Sequence, residues 1–566
     1  MKATKIFAGI LAAASLSLGA CTNLNENLYD VLNNENIDLN NEKDLNALLG
    51  QAMAQFRFTH TSYWGWWELQ EECSDTYCIP ARIGVGWGSM YVNMHKHDWT
   101  YTIAQGETVW MNCYSCIQYC NLVLDAMEKD NPMRPHARFL RAYCYQILLD
   151  VFRNPPLITT ANTEPGYLPE QVPVADLFKW IETEYSEIVD KIGTDKHYGW
   201  PNMYAVLMAQ ARLYLNANVY LGTNDNSYYD KALSAAEMVL KEDSDYKLAS
   251  TYKECFAQDL KNNPEMILVV PEDPTHASHF QLSSIGFPQT GMEAYASSCG
   301  AWNGSAAIPQ FIDTYDPDDK RLYDTWAQGI QHYAVKNADG TYTNNAGDPI
   351  PFAADDWSGT GYRNYNKEMH SIDNPGCYQQ EGYRMHKYEI VNGTNNGTYT
   401  DDMPVFRLSE AYFIAAECML RLGKDQDVAA QYVTKVRERS FPNSAKATVT
   451  ARDLQRGSRY AYGIKECTSE GCTNWSEWNT TYESGDDIEF GVMLDEWAWE
   501  FVGEYHRRTD LIRFKTASGN NVFNGKSWFS KKATSETHWN VFPIPESAMK
   551  TNSKLKQNPG YASSGE

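Results

Sequence analysis

Three glutamates four residues apart, Glu496, Glu500 and Glu504, carry the chain's clearest pattern of reactive side chains. They fall in "LDEWAWEFVGEYHRRTDLIRF", beside His506, Arg507, Arg508 and Asp510. The spacing predicts one helix face. Paired carboxylates do acid and base work at a glycosidic bond when they stand about 5 to 10 Å apart across a cleft. A structural reading competes with this, because acids early and bases late suit the helix dipole, and acids facing later arginines form ion pairs. Trp497, Trp499, Phe501 and Leu511 around them have the character of core anchors, which favours the structural reading. A glycoside hydrolase using Glu500 and Glu504 remains the enzymatic alternative.

Other reactive sets are weaker. His95 with His97, and His276 with His279, have metal-like spacing, but neither pair lies in an HExxH helix or has an obvious third ligand. The acidic stretches "NDNSYYD" from Asn224 and "DPDDKR" from Asp316 offer oxygens to calcium, yet lack the glycine and terminal glutamate of an EF-hand loop and read as turns. A structural calcium is left open, and no other cofactor is expected. Cys113, Cys116 and Cys120 share a helix face and read as small buried side chains rather than as a zinc site. Cys73 with Cys78, and Cys467 with Cys472, are loop pairs with room for short disulfides. No nucleophile elbow, phosphate loop or dinucleotide fingerprint is present. The expectation is a protein that is not an enzyme.

The elements that must position such residues begin after an export signal. Lys2 and Lys5 precede an apolar run at residues 6–18, and Leu18-Gly19-Ala20-Cys21 resembles a bacterial lipobox. Residues 1–20 are therefore expected to be a lipoprotein signal peptide and Cys21 to be lipidated, with a plain secretory signal as the alternative. Residues 21–40 would form the tether, and 41–566 the folded domain. No later segment approaches the roughly 20 apolar residues of a membrane helix. The 72 acidic residues outnumber 48 basic ones, giving a net charge of −24 that disfavours nucleic acid as a partner.

Helical periodicity runs through residues 107–152, broken at Asn131-Pro132 and Arg134-Pro135, and ends before a double proline. "YAVLMAQARLYLNANVYLG" with "YYDKALSAAEMVLK", and "LSEAYFIAAECMLRLGKDQDVAAQYVTKVRERS", repeat an alternation of alanine with aromatic and aliphatic residues. These predict a mostly α fold, a tetratricopeptide-like scaffold of about four helix pairs. Residues 250–405 and 443–487 lose that periodicity and predict loop-rich insertions, the first of them a large irregular ligand-binding lobe.

Four ordered motifs resemble the SusD/RagB-like family of outer-membrane nutrient-binding lipoproteins. They are "HARFLRAYCYQILLDVFRNPPLIT", "MPVFRLSEAYFIAAECMLRLG", "EWAWEFVGEYHRRTDLIRF" and "VFPIPESAMKTNSKLKQNPGY". The resemblance implies four helix pairs docking on a SusC-like, TonB-dependent transporter of the outer membrane, with the irregular lobe capturing a nutrient, commonly a glycan or oligosaccharide. It implies a lipid-anchored, surface-exposed protein without catalysis. A peptide or other non-glycan nutrient is the alternative ligand of the same fold.

Two loops are similar to family stretches and serve as candidate walls of the site. One contains Ser74-Asp75, Pro80-Ala81-Arg82 and Trp87; the other contains Trp302-Asn303-Gly304 and Pro309. Sugars present flat C–H faces and many hydroxyls, so their sites need aromatic platforms with a few polar partners. Arg82 is expected to donate to sugar hydroxyls, Trp87 and Trp302 to stack, and Asn303 to be a polar partner. Trp357 and Tyr378 are further candidates from the lobe. In "SYWGWW", Trp66 and Trp67 adjoin a helical pattern, and at least one of them is expected in the core.

Overall fold

The computed structural model describes residues 41–562 apart from 83–84, 276, 278–281, 299, 353–360, 374–376, 394–399 and 467–480. Its scaffold is a series of helix pairs. Helix α1 (Glu42–Thr61) starts where the Asn41 side chain accepts the Lys43 N–H. Two short helices follow, α2 (Trp66–Glu71) and α3 (Ser89–Lys96), before α4 (Ala104–Ala126) returns to pack along α1. Helices α5 (Arg134–Phe152) and α6 (Val174–Ile188) form the second pair, and α7 (Met203–Leu215) and α8 (Asn226–Leu240) the third. The fourth pair is α9 (Leu408–Leu422) with α10 (Gln426–Arg437).

The local chemistry explains the boundaries. Asn202 and Asp225 cap α7 and α8 through their side-chain oxygens, satisfying backbone N–H groups that have no partner inside the helix. Gly423 ends α9 with φ of +64°, in the left-handed region that a glycine enters without steric cost. Asp319 likewise caps the helix at Lys320–Thr325, so both acidic stretches contribute helix caps. The faces between the pairs are filled by alanines, leucines and aromatic rings forming one continuous core.

The cysteines behave in two ways. Cys113, Cys116 and Cys120 are buried on the face of α4, where the Cys116 thiol donates to Ala52 O at 3.3 Å. Cys73 and Cys78 do not form the short disulfide that their spacing allowed. Both are free and buried, and Cys73 instead donates to Leu69 O one helical turn back at 3.2 Å. Cys467 and Cys472 lie outside the described residues.

Between the third and fourth pairs the chain builds the loop-rich lobe, whose ends are tied together. A fully buried apolar strand, β2 (Met266–Val270), pairs antiparallel with β6 (Met403–Arg407), with Met266 opposite Arg407 and Val270 opposite Met403. This two-stranded sheet closes the neck of an insertion of more than one hundred residues, and Arg407 then leads directly into α9. Inside the lobe only short ladders occur among the described residues. Strand β1 (Tyr77–Cys78) pairs with β3 (Ala306–Ala307), and β4 (Trp326–Ala327) with β5 (Arg384–Met385). The first ladder brings the loop before Trp87 against the loop that carries Trp302.

Candidate functional site

The glutamate helix is α11 (Gly491–Phe501), followed by α12 (Arg507–Arg513). Glu496 and Glu500 lie on α11 and Glu504 three residues beyond its end, and all three are buried. Glu496 borders a cavity with Arg437 and Trp499, while Glu500 and Glu504 are enclosed by basic side chains. Arg407 donates to Glu500 at 2.7 Å, Glu504 at 2.8 Å and Glu265 at 3.0 Å. Arg439 adds a bond to Glu500 at 2.5 Å and Arg321 one at 3.2 Å, while Arg437 holds Glu496. Burial alone would raise the Glu500 pKa, but Arg439, Arg407 and Arg321 outweigh it and hold the carboxyl well below its ordinary value. A general acid needs a proton near neutral pH, and Glu500 has none to give. These side chains join the neck strand to α11. His506 is also buried and kept neutral by desolvation.

His95 and His97 are buried structural residues. His97 Nε2 bonds Cys73 O at 2.9 Å, and burial pushes the His95 pKa down to about 3. No group of three His, Cys, Asp or Glu side chains poised for a metal occurs among the described residues. His276 and His279 lie outside them.

The two predicted wall loops do meet, together with a third that carries Tyr378. Arg82 is the junction. Its Nε donates to Gly304 O at 2.9 Å, and Nη1 donates to Tyr378 O at 2.9 Å and Glu381 O at 3.0 Å. The expectation that Arg82 reaches sugar hydroxyls is therefore replaced by a different role. The side chain is 4% exposed, and three of its N–H bonds satisfy loop carbonyls. Asn303 is also buried rather than presented to ligand. It takes a left-handed φ of +52°, and its Oδ1 accepts from Arg384 at 3.2 Å. Asp75 from the same family-like stretch is structural too, receiving both arms of Arg507 at 2.6 and 2.7 Å.

Trp87 stands between these roles. Its ring is half-buried, edge-on to Tyr91 at 5.5 Å, and Nε1 donates to Trp302 O at 3.2 Å and Asn303 O at 3.0 Å. Trp87 thus wedges the 302–304 loop in place instead of standing free as a platform. Trp302 is the displayed ring, 37% exposed, while its own N–H is anchored to Ser284 O at 2.8 Å. Tyr378 is also exposed, edge-on to His370 at 5.6 Å. Trp357 lies outside the described residues.

Trp302 is part of a larger aromatic surface. Tyr63 meets its edge at 5.0 Å, and Trp64 lies beside Tyr63 at 5.1 Å with 30° between the rings. Trp64 is 41% exposed, whereas Trp66 and Trp67, two and three residues later, are buried. The division arises at Trp64 itself, whose φ of +58° turns the chain outward just before α2 begins. Glu68, in the first turn of that helix, accepts from Trp64 N at 3.3 Å, Tyr91 Oη at 3.1 Å and Gln105 Nε2 at 2.6 Å. Burial pushes the Glu68 pKa up to about 7, although these hydrogen bonds pull the other way. A buried carboxyl thereby sets the backbone of an exposed indole.

Sequence comparison with known families accounts for the order of the elements. Residues 303–561 match the SusD family, and residues 33–284 match a second SusD-like family described as starch-binding and associating with outer membrane. The chain belongs to the SusD-like family. It is 26% identical over 537 residues to the starch-binding protein SusD of Bacteroides thetaiotaomicron, covering 89% of this chain and 84% of that one. It is 23% identical over 424 residues to the SusD-like protein P25 of Formosa agariphila, covering 72% and 69%. A SusD superfamily structure from Parabacteroides distasonis superimposes with a TM-score of 0.67 at 19% identity, covering 92% of this chain and 99% of that chain. A laminarin-binding SusD-like protein superimposes with a TM-score of 0.63 at 18% identity, covering 92% and 100%. The helical scaffold is thus that of SusD-superfamily structures.

Within this SusD-like chain, Tyr63 and Trp64 are the members of this aromatic surface that the sequence motifs do not single out. The available signal was the Trp64-Gly65 step immediately ahead of a helical pattern. A β-carbon on Gly65 would stand 2.5 Å from Ser62 O, so the chain must turn tightly there and leave the preceding ring outside.

Proposed function

We propose that this SusD-like protein captures a glycan at the cell surface, by laying it across the rings of Tyr63, Trp64 and Trp302. The single observation that carries the reading is this exposed aromatic surface on a rigid base. Its rings come from two loops far apart in sequence, and the loops are locked by Trp87, Arg82 and Glu68. Aromatic faces complement the C–H faces of sugar rings, and a preorganised surface avoids ordering its side chains on binding. Similarity to a starch-binding protein and to a laminarin-binding SusD-like protein supports carbohydrate as the ligand class. Binding rather than catalysis fits the burial of Glu500 and Glu504 inside an ion-pair network.

The finer reading follows the family. The captured glycan would pass to a SusC-like, TonB-dependent transporter, and lipid on Cys21 would hold the protein at the outer membrane. Cys21 lies outside the described residues, and no described helix is long and apolar enough to cross a membrane. An anchor of acyl chains supplies the attachment without a spanning helix.

Affinity electrophoresis in gels containing starch or laminarin tests the binding reading. Retardation of the wild type should be lost in a Trp64→Ala, Trp302→Ala double variant whose melting temperature is unchanged. Equal retardation of both proteins overturns the assignment of the site.

A further inference from the structure

A second concave site occupies the lobe and shares no lining residue with the aromatic surface. It is a cavity of about 620 Å³ beside β4, within the range of small-molecule sites. Tyr295, Tyr323 and Trp326 supply its rings, and Tyr323 is half exposed.

The polar groups that line it include several without protein partners. Gln328 Nε2 is buried and makes no hydrogen bond. Asn344 Oδ1 accepts from Asn392 Nδ2 at 2.5 Å, and Asn345 Oδ1 accepts from the His332 N–H at 2.5 Å, which leaves both amide NH2 groups uncommitted. Glu254 and Glu389 each spend one carboxylate oxygen on a backbone N–H, of Ser250 and Gln258 respectively, and keep the other. The cavity therefore holds both donors and acceptors in reserve.

Positive charge is not in reserve. Lys253, the one lysine or arginine among the described lining residues, has its three N–H bonds taken by the carbonyls of Asp324, His386 and Lys387 at 3.2, 2.6 and 3.1 Å. His386 is a neutral imidazole whose tautomer is determined by its neighbours. Nε2 faces Tyr323 O at 2.7 Å and must donate, so Nδ1 accepts from the Tyr295 hydroxyl at 2.9 Å. Two carboxylates without a free cation disfavour an anionic ligand. Amides, carboxylates and phenol rings together suit a ligand that is neutral, ring-shaped and rich in hydroxyls.

We propose that this cavity is a second carbohydrate site, which takes a neutral mono- or disaccharide in contact with Gln328, Asn344 and Tyr323. The inference rests on the glycan-capture reading for its ligand class and on the cavity's own groups for neutrality and size. The platform lays an extended chain across an open face; this cavity encloses a short piece or an end of one.

The test is isothermal titration and saturation-transfer NMR on the full folded domain with glucose, galactose, mannose, maltose and laminaribiose, and with glucuronate as the anionic control. At least one neutral sugar should bind, and glucuronate should bind more weakly. Gln328→Leu removes a group that makes no hydrogen bond in the free protein, so its melting temperature should be preserved while sugar affinity falls about tenfold, the equivalent of one lost hydrogen bond. Tyr323→Ala should weaken the same sugar, and Trp64→Ala with Trp302→Ala should leave it unaffected. The proposal is overturned if no neutral sugar binds, if glucuronate is preferred, or if Gln328→Leu and Tyr323→Ala bind as the wild type does. Failure of the platform reading is a separate result, seen as polysaccharide retardation that survives loss of Trp64 and Trp302.

Discussion

The indole of Trp87 passes so close over Gly304 that a β-carbon on Gly304 would stand 2.5 Å from its Cζ2 and 2.9 Å from Ile285 O. One contact is a ring and the other is backbone, so the side chain that glycine lacks has nowhere to go. Gly304→Ala should displace Trp87 or the 302–304 loop, costing about 1–3 kcal/mol in unfolding free energy. Glycan affinity should fall with it, because Trp302 is carried by that loop. Urea unfolding and gel retardation check both outcomes. A variant with unchanged stability and unchanged retardation would separate the wedge from the platform.

Tyr63 contacts both Trp64 and Trp302, so the three rings should act as one surface. Removing either tryptophan should weaken binding by about 0.5–1.5 kcal/mol, a loss of roughly two- to tenfold. Residues that share a partner rarely contribute independently. A double-mutant cycle on starch or laminarin oligosaccharides should therefore show coupling between Trp64→Ala and Trp302→Ala. Strict additivity would indicate two separate contact points instead of a continuous surface.

Glu68 makes the base of that surface sensitive to pH. Its carboxyl ordinarily titrates near 4.5, and burial raises it to about 7 in the folded protein. Between these values the folded state holds the proton that the unfolded chain has released. Stability from this group is thus full below about pH 4.5, declines as pH rises towards 7, and is level above that. Glu68→Gln should remove this contribution, so the variant should gain on the wild type by about 2–3 kcal/mol between pH 4.5 and pH 8. Denaturant midpoints at the two pH values measure the gain. Parallel profiles for the two proteins would mean that Glu68 titrates normally.

Beyond α1, most helices of the scaffold were legible because they announce themselves locally. Asp225 before α8, Gly423 after α9 and the double proline beyond α5 are boundary signals that require no knowledge of the fold. Helix α6 went unremarked although Leu177, Phe178, Ile181, Tyr185 and Ile188 line its buried side, and the apolar run of β2 was hidden within a region read as loop. The convergence of the wall loops was visible through family-like motifs, but the roles of their residues were not. Whether Arg82 faces solvent or three loop carbonyls depends on Gly304, Tyr378 and Glu381, which lie more than two hundred residues away. In the same way Trp64 and Trp66 are alike in composition and neighbours. A single left-handed residue puts one outside and the other in the core.

Glu500 offers the sharpest test of the non-enzymatic reading. Its carboxylate neutralises Arg407 and Arg439 at 2.7 and 2.5 Å, and these arginines also hold Glu265 beside β2. Removing one member of a buried charge network leaves the others unpaired in a poorly solvated interior, at a cost of about 3–5 kcal/mol. Glu500→Gln keeps the shape and loses the charge, so it should lower the urea midpoint substantially. The effect should extend to the lobe, because Arg407 ends the strand that closes its neck. Amide hydrogen exchange would report this as faster exchange in β2 and β6. A catalytic carboxylate predicts the opposite pattern, with stability preserved or increased and a measurable glycan-cleaving activity abolished. Loss of stability with no cleavage by either protein is the expected result, since a residue enclosed by three arginines has neither access to substrate nor a proton to transfer.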